Sequence, residues 1–296
     1  MDYALLVPNW APYDQDVMIR LAQEAERLGY QRIFFTDHLM NPYGAASGFA
    51  EETVETWSLL SYLAAATEKI RLGTGVTPMA LRPPGLLAKQ VATVDRLSGG
   101  RIDLGIGTGW SEGSFGAIDT DFGDPASRKA RLREGVELIL DLWRADGPVS
   151  FDGTYYRTRD AVIGPKPVQQ PHPPLWVGGW RRNMLSLTAK LGNGWIPWNR
   201  TVEFWEGARA RIRAEAEPLG RADEIVYGAG VLVVPEEAAE AELAQSHSEQ
   251  PPLTRATIKA WSDRYEAVGC ELLLIMVLPD PADAFAVLGQ IAAELM

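Results

Sequence analysis

Eight short apolar runs, in strict alternation with eight segments of helical period, predict an α/β fold: a closed (β/α)8 barrel. The chain length of 296 residues fits one such barrel, whereas a doubly wound sheet usually has fewer units per domain. A single barrel domain over residues 1–296 is therefore expected.

The strand candidates are YALLV at 3–7, RIFFT at 32–36, IRLGTGV at 70–76, RIDLGIG at 101–107, PLWV at 174–177, GWIPW at 194–198, IVYGAGVLVV at 225–234 and ELLLIMV at 271–277. Such short runs suit buried parallel strands. The first helix, over 14–29, places Val17, Leu21, Ala25 and Leu28 on one stripe. Asp14 and Asp16 suit its start and Gly29 its end. The other helices are expected over 55–67, 85–97, 127–143, 182–191, 202–219, 253–268 and 281–295. Two segments break the rhythm. FDGTYY at 151–156 reads as a small hairpin, followed by a proline-rich extended connector at 164–175, so an insertion precedes the fifth strand. The acidic stretch 235–252 after the seventh strand reads as a solvated helix or as a mobile lid.

Composition narrows the function classes. Hydrophobic residues make up 46 % and charged residues 23 %, enough to bury a core. The formal net charge of −11 opposes binding to a polyphosphate backbone, so nucleic acid is not an expected partner. The single cysteine, Cys270, allows no internal disulfide and reads as a small core residue. His38, His172 and His247 are too scattered for a multi-histidine metal centre. No run approaches the ~20 apolar residues of a membrane span, and no basic segment precedes an apolar stretch at the N-terminus. A soluble, cytoplasmic protein without a membrane partner is expected.

In a parallel barrel the chemistry sits where strands end. Those positions hold Trp10 after strand one, Asp37 and His38 after strand two, Gly75 and Val76 in strand three, and Gly107, Thr108, Gly109 and Trp110 after strand four. Gly178, Gly179, Trp180, Arg181 and Arg182 follow strand five, and Trp195 and Trp198 belong to strand six. Five tryptophans at one rim suit a flat aromatic ligand, or they plug the mouth. GIGTGW does not complete a G-x-G-x-x-G fingerprint. Its glycines, with Gly178-Gly179 and the two arginines, can instead cradle a phosphate, although each pair alone could serve a turn. His38 is a candidate general acid or base, or a structural histidine. Arg128, Lys129, Arg131 and Arg133 open the next helix as a solvated face or as contacts for an anionic ligand tail. Gly109-Trp110-Ser111-Glu112-Gly113 matches the G-x-S-x-G nucleophile elbow, which makes a serine hydrolase using Ser111 a remote alternative; the glycines and proline downstream argue against the helix an elbow requires.

The segments FTDHLMNP, ETWSLLSYLAAATEKIRLGTGV, LRPPGLLAKQVATVDRLSGGRIDLGIGTGW, FDGTYY, PKPVQQPHPPLWVGG and LGNGWIP, taken as an ordered set from residue 3 to about 198, resemble the bacterial luciferase-like flavin and deazaflavin oxidoreductase family. The likeness is closer to its branch dependent on coenzyme F420. This resemblance implies a cofactor ring system at the strand tops and a cis Gly75–Val76 peptide behind it. It also implies Asp37 against the ring, Thr108-Gly109 and Gly178-Gly179 with Arg181 and Arg182 on the phosphate side, and a catalytic His38 facing the hydride-exchanging carbon. The expected activity is hydride transfer between F420 and a small, mainly apolar organic substrate. A two-component monooxygenase using reduced FMN is the alternative. A homodimer and a separate cofactor reductase are expected partners. The substrate pocket is expected around Trp10, Tyr43, Trp110, Trp198 and the loop after strand seven. Three departures from the family pattern stand out: Ser114 where many relatives carry Glu, Trp110 where some sugar-phosphate dehydrogenases carry a catalytic Glu, and Asn193 where Asp is usual. They leave the proton-transfer partner of His38 unassigned.

Overall fold

The computed structural model describes residues 1–10, 13–42, 53–234, 253–254, 256–277 and 281–295. Its barrel strands are β1 (Asp2–Val7), β2 (Arg32–Phe35), β3 (Arg71–Thr74), β4 (Thr77–Pro78), β5 (Ile102–Gly107), β8 (Leu175–Gly178), β9 (Gly194–Ile196), β10 (Val226–Val233) and β11 (Leu272–Val277). They pair in the order β3-β2-β1-β11-β10-β9-β8-β5-β4, and a further β3–β5 pairing closes the ring. β3 and β4 share one barrel position, so the expected eight-stranded parallel barrel is the observed one. The expected continuous strand 70–76 leaves the ladder after Thr74 and rejoins it where Thr77 pairs with Ile106 of β5.

Alternation along the strands separates two apolar layers. Leu5, Val7, Ile33, Phe35, Leu104, Ile106 and Val177 belong to the layer beneath the helices. Ala4, Leu6, Phe34, Trp176, Ile196, Leu232 and Leu274 fill the barrel interior. Glycine makes room for the two large rings inside. A Cβ at Gly73 would meet Phe34 Cε1 at 2.7 Å, and one at Gly194 would meet Trp176 Cε3 at 2.1 Å. Trp195, expected at the rim, lies instead in the outer layer, with its ring 6.0 Å from that of Trp205. The alternation turns Trp176 and Ile196 inward and Trp195 outward.

The helices are α1 (Gln15–Leu28), α2 (Thr56–Ala66), α3 (Pro84–Leu97), the single turn α4 (Glu112–Gly116), α5 (Pro125–Arg144), α6 (Arg182–Leu191), α7 (Val202–Ala216), α8 (Ile258–Ala267) and α9 (Pro281–Leu295). Asp14 caps α1 by accepting the Val17 N–H, and Gly29, at φ 92°, ends it as expected. α5 starts two residues before the expected position because Asp124 accepts the Ala126 and Ser127 N–H groups. α8 is shorter than the expected 253–268: Leu253 forms a parallel bridge to Val233 instead. No helix among the described residues is long and apolar enough to cross a membrane.

The insertion is the antiparallel pair β6 (Val149–Asp152) and β7 (Arg157–Ala161), with FDGTYY forming its tip rather than the whole hairpin. The buried carboxylate of Glu134 on α5 holds that tip by accepting the N–H groups of Thr154, Tyr155 and Tyr156. The proline-rich connector contains cis peptides at Gly164–Pro165 and Gln170–Pro171. Fully buried Asp95 anchors it by accepting the Val168 and Gln169 N–H groups. The acidic stretch 235–252 lies outside the described residues.

Candidate active site

Asn9, at the top of β1, fixes the backbone of His38. Its Oδ1 accepts the His38 N–H at 3.2 Å and its Nδ2 donates to the His38 carbonyl at 2.7 Å. The same side chain donates to the Val54 carbonyl and accepts the Thr36 hydroxyl, so its hydrogen-bonding capacity is used across three chain segments. The His38 imidazole then sits edge-on between two indoles, with Trp10 at 5.1 Å and Trp110 at 5.6 Å between ring centroids. Burial in this aromatic slot pushes its pKa from 6.5 down to about 4, so the ring is neutral at physiological pH.

Asp37, one residue earlier, points elsewhere. It is fully buried and forms a two-point ion pair with Arg82, at 2.7 and 3.0 Å, and its Oδ2 also accepts the Thr77 hydroxyl at 2.7 Å. Arg82 donates to Glu55 as well, at 2.6 Å. Burial would raise the Glu55 pKa, but hydrogen bonds from Ser58 and Arg82 outweigh it and hold the carboxyl below its usual range. This network ties the tops of β2 and β4 to the start of α2. The sequence reading missed Arg82 and Glu55. A signal for Arg82 existed in ALRPPG, where a lone cation between apolar residues calls for a buried acid.

The Gly75–Val76 peptide is cis, as the resemblance implies. Both residues are partly exposed at the mouth. The Val76 methyls fill the notch left by missing side chains: a Cβ at Gly107 would meet Cγ2 at 2.6 Å, and one at Gly178 would meet Cγ1 at 3.0 Å. The ends of β5 and β8 therefore converge on Val76, bringing the predicted glycines together. Beyond them Gly109 and Gly179 take positive φ values of 77° and 98°. Arg181 stands at the N-cap of α6, where its side chain makes no capping hydrogen bond, and Arg181 and Arg182 are both exposed. Thr108, the uncapped α6 terminus and the two arginines form a donor set without a carboxylate, which fits a phosphate.

The expected pocket residues divide. Trp10 is buried against His38, and Trp198 is half-buried, its Cε3 2.6 Å from where a Cβ at Gly230 would stand. Trp110 is 58 % exposed and forms the open wall. Tyr43 lies outside the described residues. Trp180 carries the Arg200 guanidinium 4.1 Å from its ring centroid. A helix does follow Ser111, contrary to expectation, but it is only α4. Ser111 has φ −93° and ψ 96° and donates its hydroxyl to the Pro42 carbonyl at 2.9 Å. Asn193 precedes β9 at the opposite end of the barrel, where its Oδ1 accepts the Leu175 N–H, so that departure does not touch His38. Cys270 is buried, as expected, and among the described residues no cluster of three or more His, Cys, Asp or Glu could hold a metal.

Residues 7–271 match the family model for luciferase-like monooxygenases. The chain belongs to that family. Its relatives include an FMNH2-dependent dimethylsulfone monooxygenase of Pseudomonas putida, 32 % identical over 81 % of this chain and 64 % of the relative. An F420-dependent glucose-6-phosphate dehydrogenase of Beutenbergia cavernae is 34 % identical over 66 % of this chain and 55 % of the relative. An F420-dependent hydroxymycolic acid dehydrogenase of Mycobacterium tuberculosis is 32 % identical over 71 % of this chain and 58 % of the relative. The chain thus spans between half and two thirds of the length of these curated relatives. Among solved structures, an F420-dependent secondary alcohol dehydrogenase superposes with a TM-score of 0.86 at 16 % identity, over 99 % of this chain and 98 % of the other, which shows the shared barrel fold. The three curated relatives are named for dependence on FMNH2 or on F420.

Proposed function

We propose that this luciferase-like barrel, acting as one unit over residues 1–296, is an F420-dependent oxidoreductase exchanging a hydride with a small, mainly apolar organic substrate. The observation that carries the reading is the neutral His38 imidazole held between Trp10 and Trp110 at the barrel mouth. When bound, the deazaflavin supplies or receives the hydride. The chain supplies the rest. Val76 and its flanking glycines offer a flat seat, while Thr108, Arg181, Arg182 and the α6 N-terminus hold the phosphate. The indoles of Trp10, Trp110 and Trp198 exclude water and favour apolar substrate groups. The neutral His38 imidazole is the group at the mouth that exchanges a proton with the substrate as the hydride moves. Asp37 positions the Gly75–Val76 segment through Thr77 and Arg82.

A reduced-FMN monooxygenase served by a separate reductase is the second reading, supported by the relative that matches 81 % of the chain. In either case a cytoplasmic homodimer is the form we propose. Titration with oxidised F420 and with FMN, followed by quenching of tryptophan fluorescence, separates the two. Tight F420 binding with negligible FMN binding is expected, and the reverse outcome would favour the monooxygenase. His38→Gln should bind the cofactor normally and lose turnover.

A further inference from the structure

Trp195 is the rim tryptophan that strand alternation turns outward, and the proposed chemistry leaves it without a task. Its ring is fully buried beneath the helices, 6.0 Å from that of Trp205. Packing accounts for the ring but not for the direction of its polar edge. The indole Nε1 donates to the Gly179 carbonyl at 2.9 Å, across 16 residues of sequence. β8 and β9 pair with Trp195 opposite Val177, so the indole leans two residues up the neighbouring strand to reach the loop that follows it.

That carbonyl belongs to the peptide joining Gly179 to Trp180, which is trans. A trans peptide is planar, with its carbonyl and its N–H pointing to opposite sides. With the Gly179 oxygen drawn into the outer layer, the Trp180 N–H faces the other way, toward the mouth. Gly179, at φ 98°, supplies the backbone turn that permits this. The N–H groups of Trp180 and Arg181 have no partner among the described residues, and the first amides of α6 follow directly. A short run of open donors results, beside Arg181 and Arg182. The Arg200 guanidinium holds the same loop from another side, 4.1 Å from the Trp180 ring centroid. Both anchors, Trp195 and Arg200, come from the segment that begins at Gly194.

We propose that Trp195 is a positioning residue for anion binding: its indole N–H fixes the Gly179–Trp180 peptide so that the Trp180 and Arg181 amides receive a phosphate oxygen. The proposal rests on the phosphate role given to this loop under the proposed function. It assigns a task to the tryptophan of the segment GNGWIP, whose side chain stays in the outer layer and does not reach the ligand. Without the indole donor the peptide can rotate, and a rotated peptide presents its carbonyl oxygen where the N–H stood, which repels an anion.

The test follows the backbone amide resonances of Trp180 and Arg181 by NMR while inorganic phosphate is added at constant ionic strength. Wild type is compared with Trp195→Phe, which keeps a ring beside Trp205 and removes the donor. Both amides are expected to shift in wild type, with a dissociation constant about tenfold lower than in Trp195→Phe. Trp205→Phe is the control for packing: it disturbs the same layer, but the indole N–H it removes serves the Gly228 carbonyl, so its phosphate affinity should match wild type. Wild type alone gives a second readout. By reciprocity phosphate strengthens the indole bond, so hydrogen exchange at Trp195 Nε1 should slow on saturation by a like factor, and more than at Trp205 Nε1. Equal phosphate affinity in wild type and Trp195→Phe, an equal loss in Trp205→Phe, or an unchanged exchange rate overturns the positioning role and leaves the phosphate site in place. No shift at Trp180 and Arg181 in wild type overturns both. Wild type that binds phosphate but not F420 removes the cofactor reading and leaves the role of Trp195 standing.

Discussion

Asp37 and Arg82 form a buried, two-point ion pair across 45 residues of sequence, with the carboxylate fully enclosed and both guanidinium Nη atoms engaged. Taking two charges out of water costs several kcal/mol per ion, and the pair recovers this only through close geometry and added hydrogen bonds. Here Thr77 and Glu55 provide those bonds, and in doing so they bind the tops of β2 and β4 to α2. The carboxylate that the family resemblance sets against the cofactor ring is thus also a structural tie.

Arg82→Leu leaves the Asp37 charge buried without its partner. Unfolding in urea should show a loss of about 3 to 5 kcal/mol. A loss below about 1 kcal/mol would show that the pair contributes little to holding the mouth.

His38 makes stability depend on pH with a definite sign. Its folded-state pKa of about 4 lies below the ordinary 6.5, so the unfolded chain takes up the proton first as pH falls. The penalty is absent above 6.5, grows through the window from 6.5 to 4, and reaches about 3 kcal/mol at its lower end. Stability curves of wild type and His38→Gln should converge or cross on acidification. Parallel curves from pH 7 to 4 would mean the imidazole is more solvated than the slot implies. By the same pKa, turnover should show no break near 6.5.

Two glycines respond in opposite ways to a methyl group. At Gly105 a Cβ would meet the Thr74 carbonyl oxygen at 1.7 Å, a backbone atom that cannot step aside, so Gly105→Ala should yield little folded protein. At Gly207, exposed on α7 with nothing within 4 Å of a new Cβ, Gly207→Ala should raise stability by about 0.5 to 1 kcal/mol. Thermal melts check both.

Cys270 is buried, donates its Sγ hydrogen to the Leu272 carbonyl, and has its pKa pushed up to about 12 by burial. It should resist iodoacetamide in the native protein at pH 8 and react fully in guanidinium. Rapid labelling of the native state would show that the last strand opens readily.

The barrel was legible because its signal is periodic. Strands β1, β5, β8, β10 and β11 fall within the predicted runs or within a residue of them, since apolar runs bounded by turn residues carry their own ends. What escaped is non-local. Arg82 meets Asp37 only after β2, β4 and α2 have packed, and no spacing in the sequence announces it. The inside-outside choice at Trp176 and Trp195 escaped for a related reason. Both tryptophans sit in fully apolar strands, where hydrophobicity does not mark a face, and only the pairing register, Trp176 opposite Gly194 and Val177 opposite Trp195, decides it. The rim glycines were readable as a set because strand ends are where a parallel barrel places its chemistry.

The side chain of Asn9 joins residues 36, 38 and 54 by four hydrogen bonds. A buried amide left half-satisfied is costly, so no one of these bonds is stable without the others. The mouth therefore assembles as a unit. During refolding the Trp10–His38–Trp110 slot should arise in the same kinetic phase as the docking of α2, late and all at once, and a chain ending before residue 54 would carry His38 without the frame that aims it.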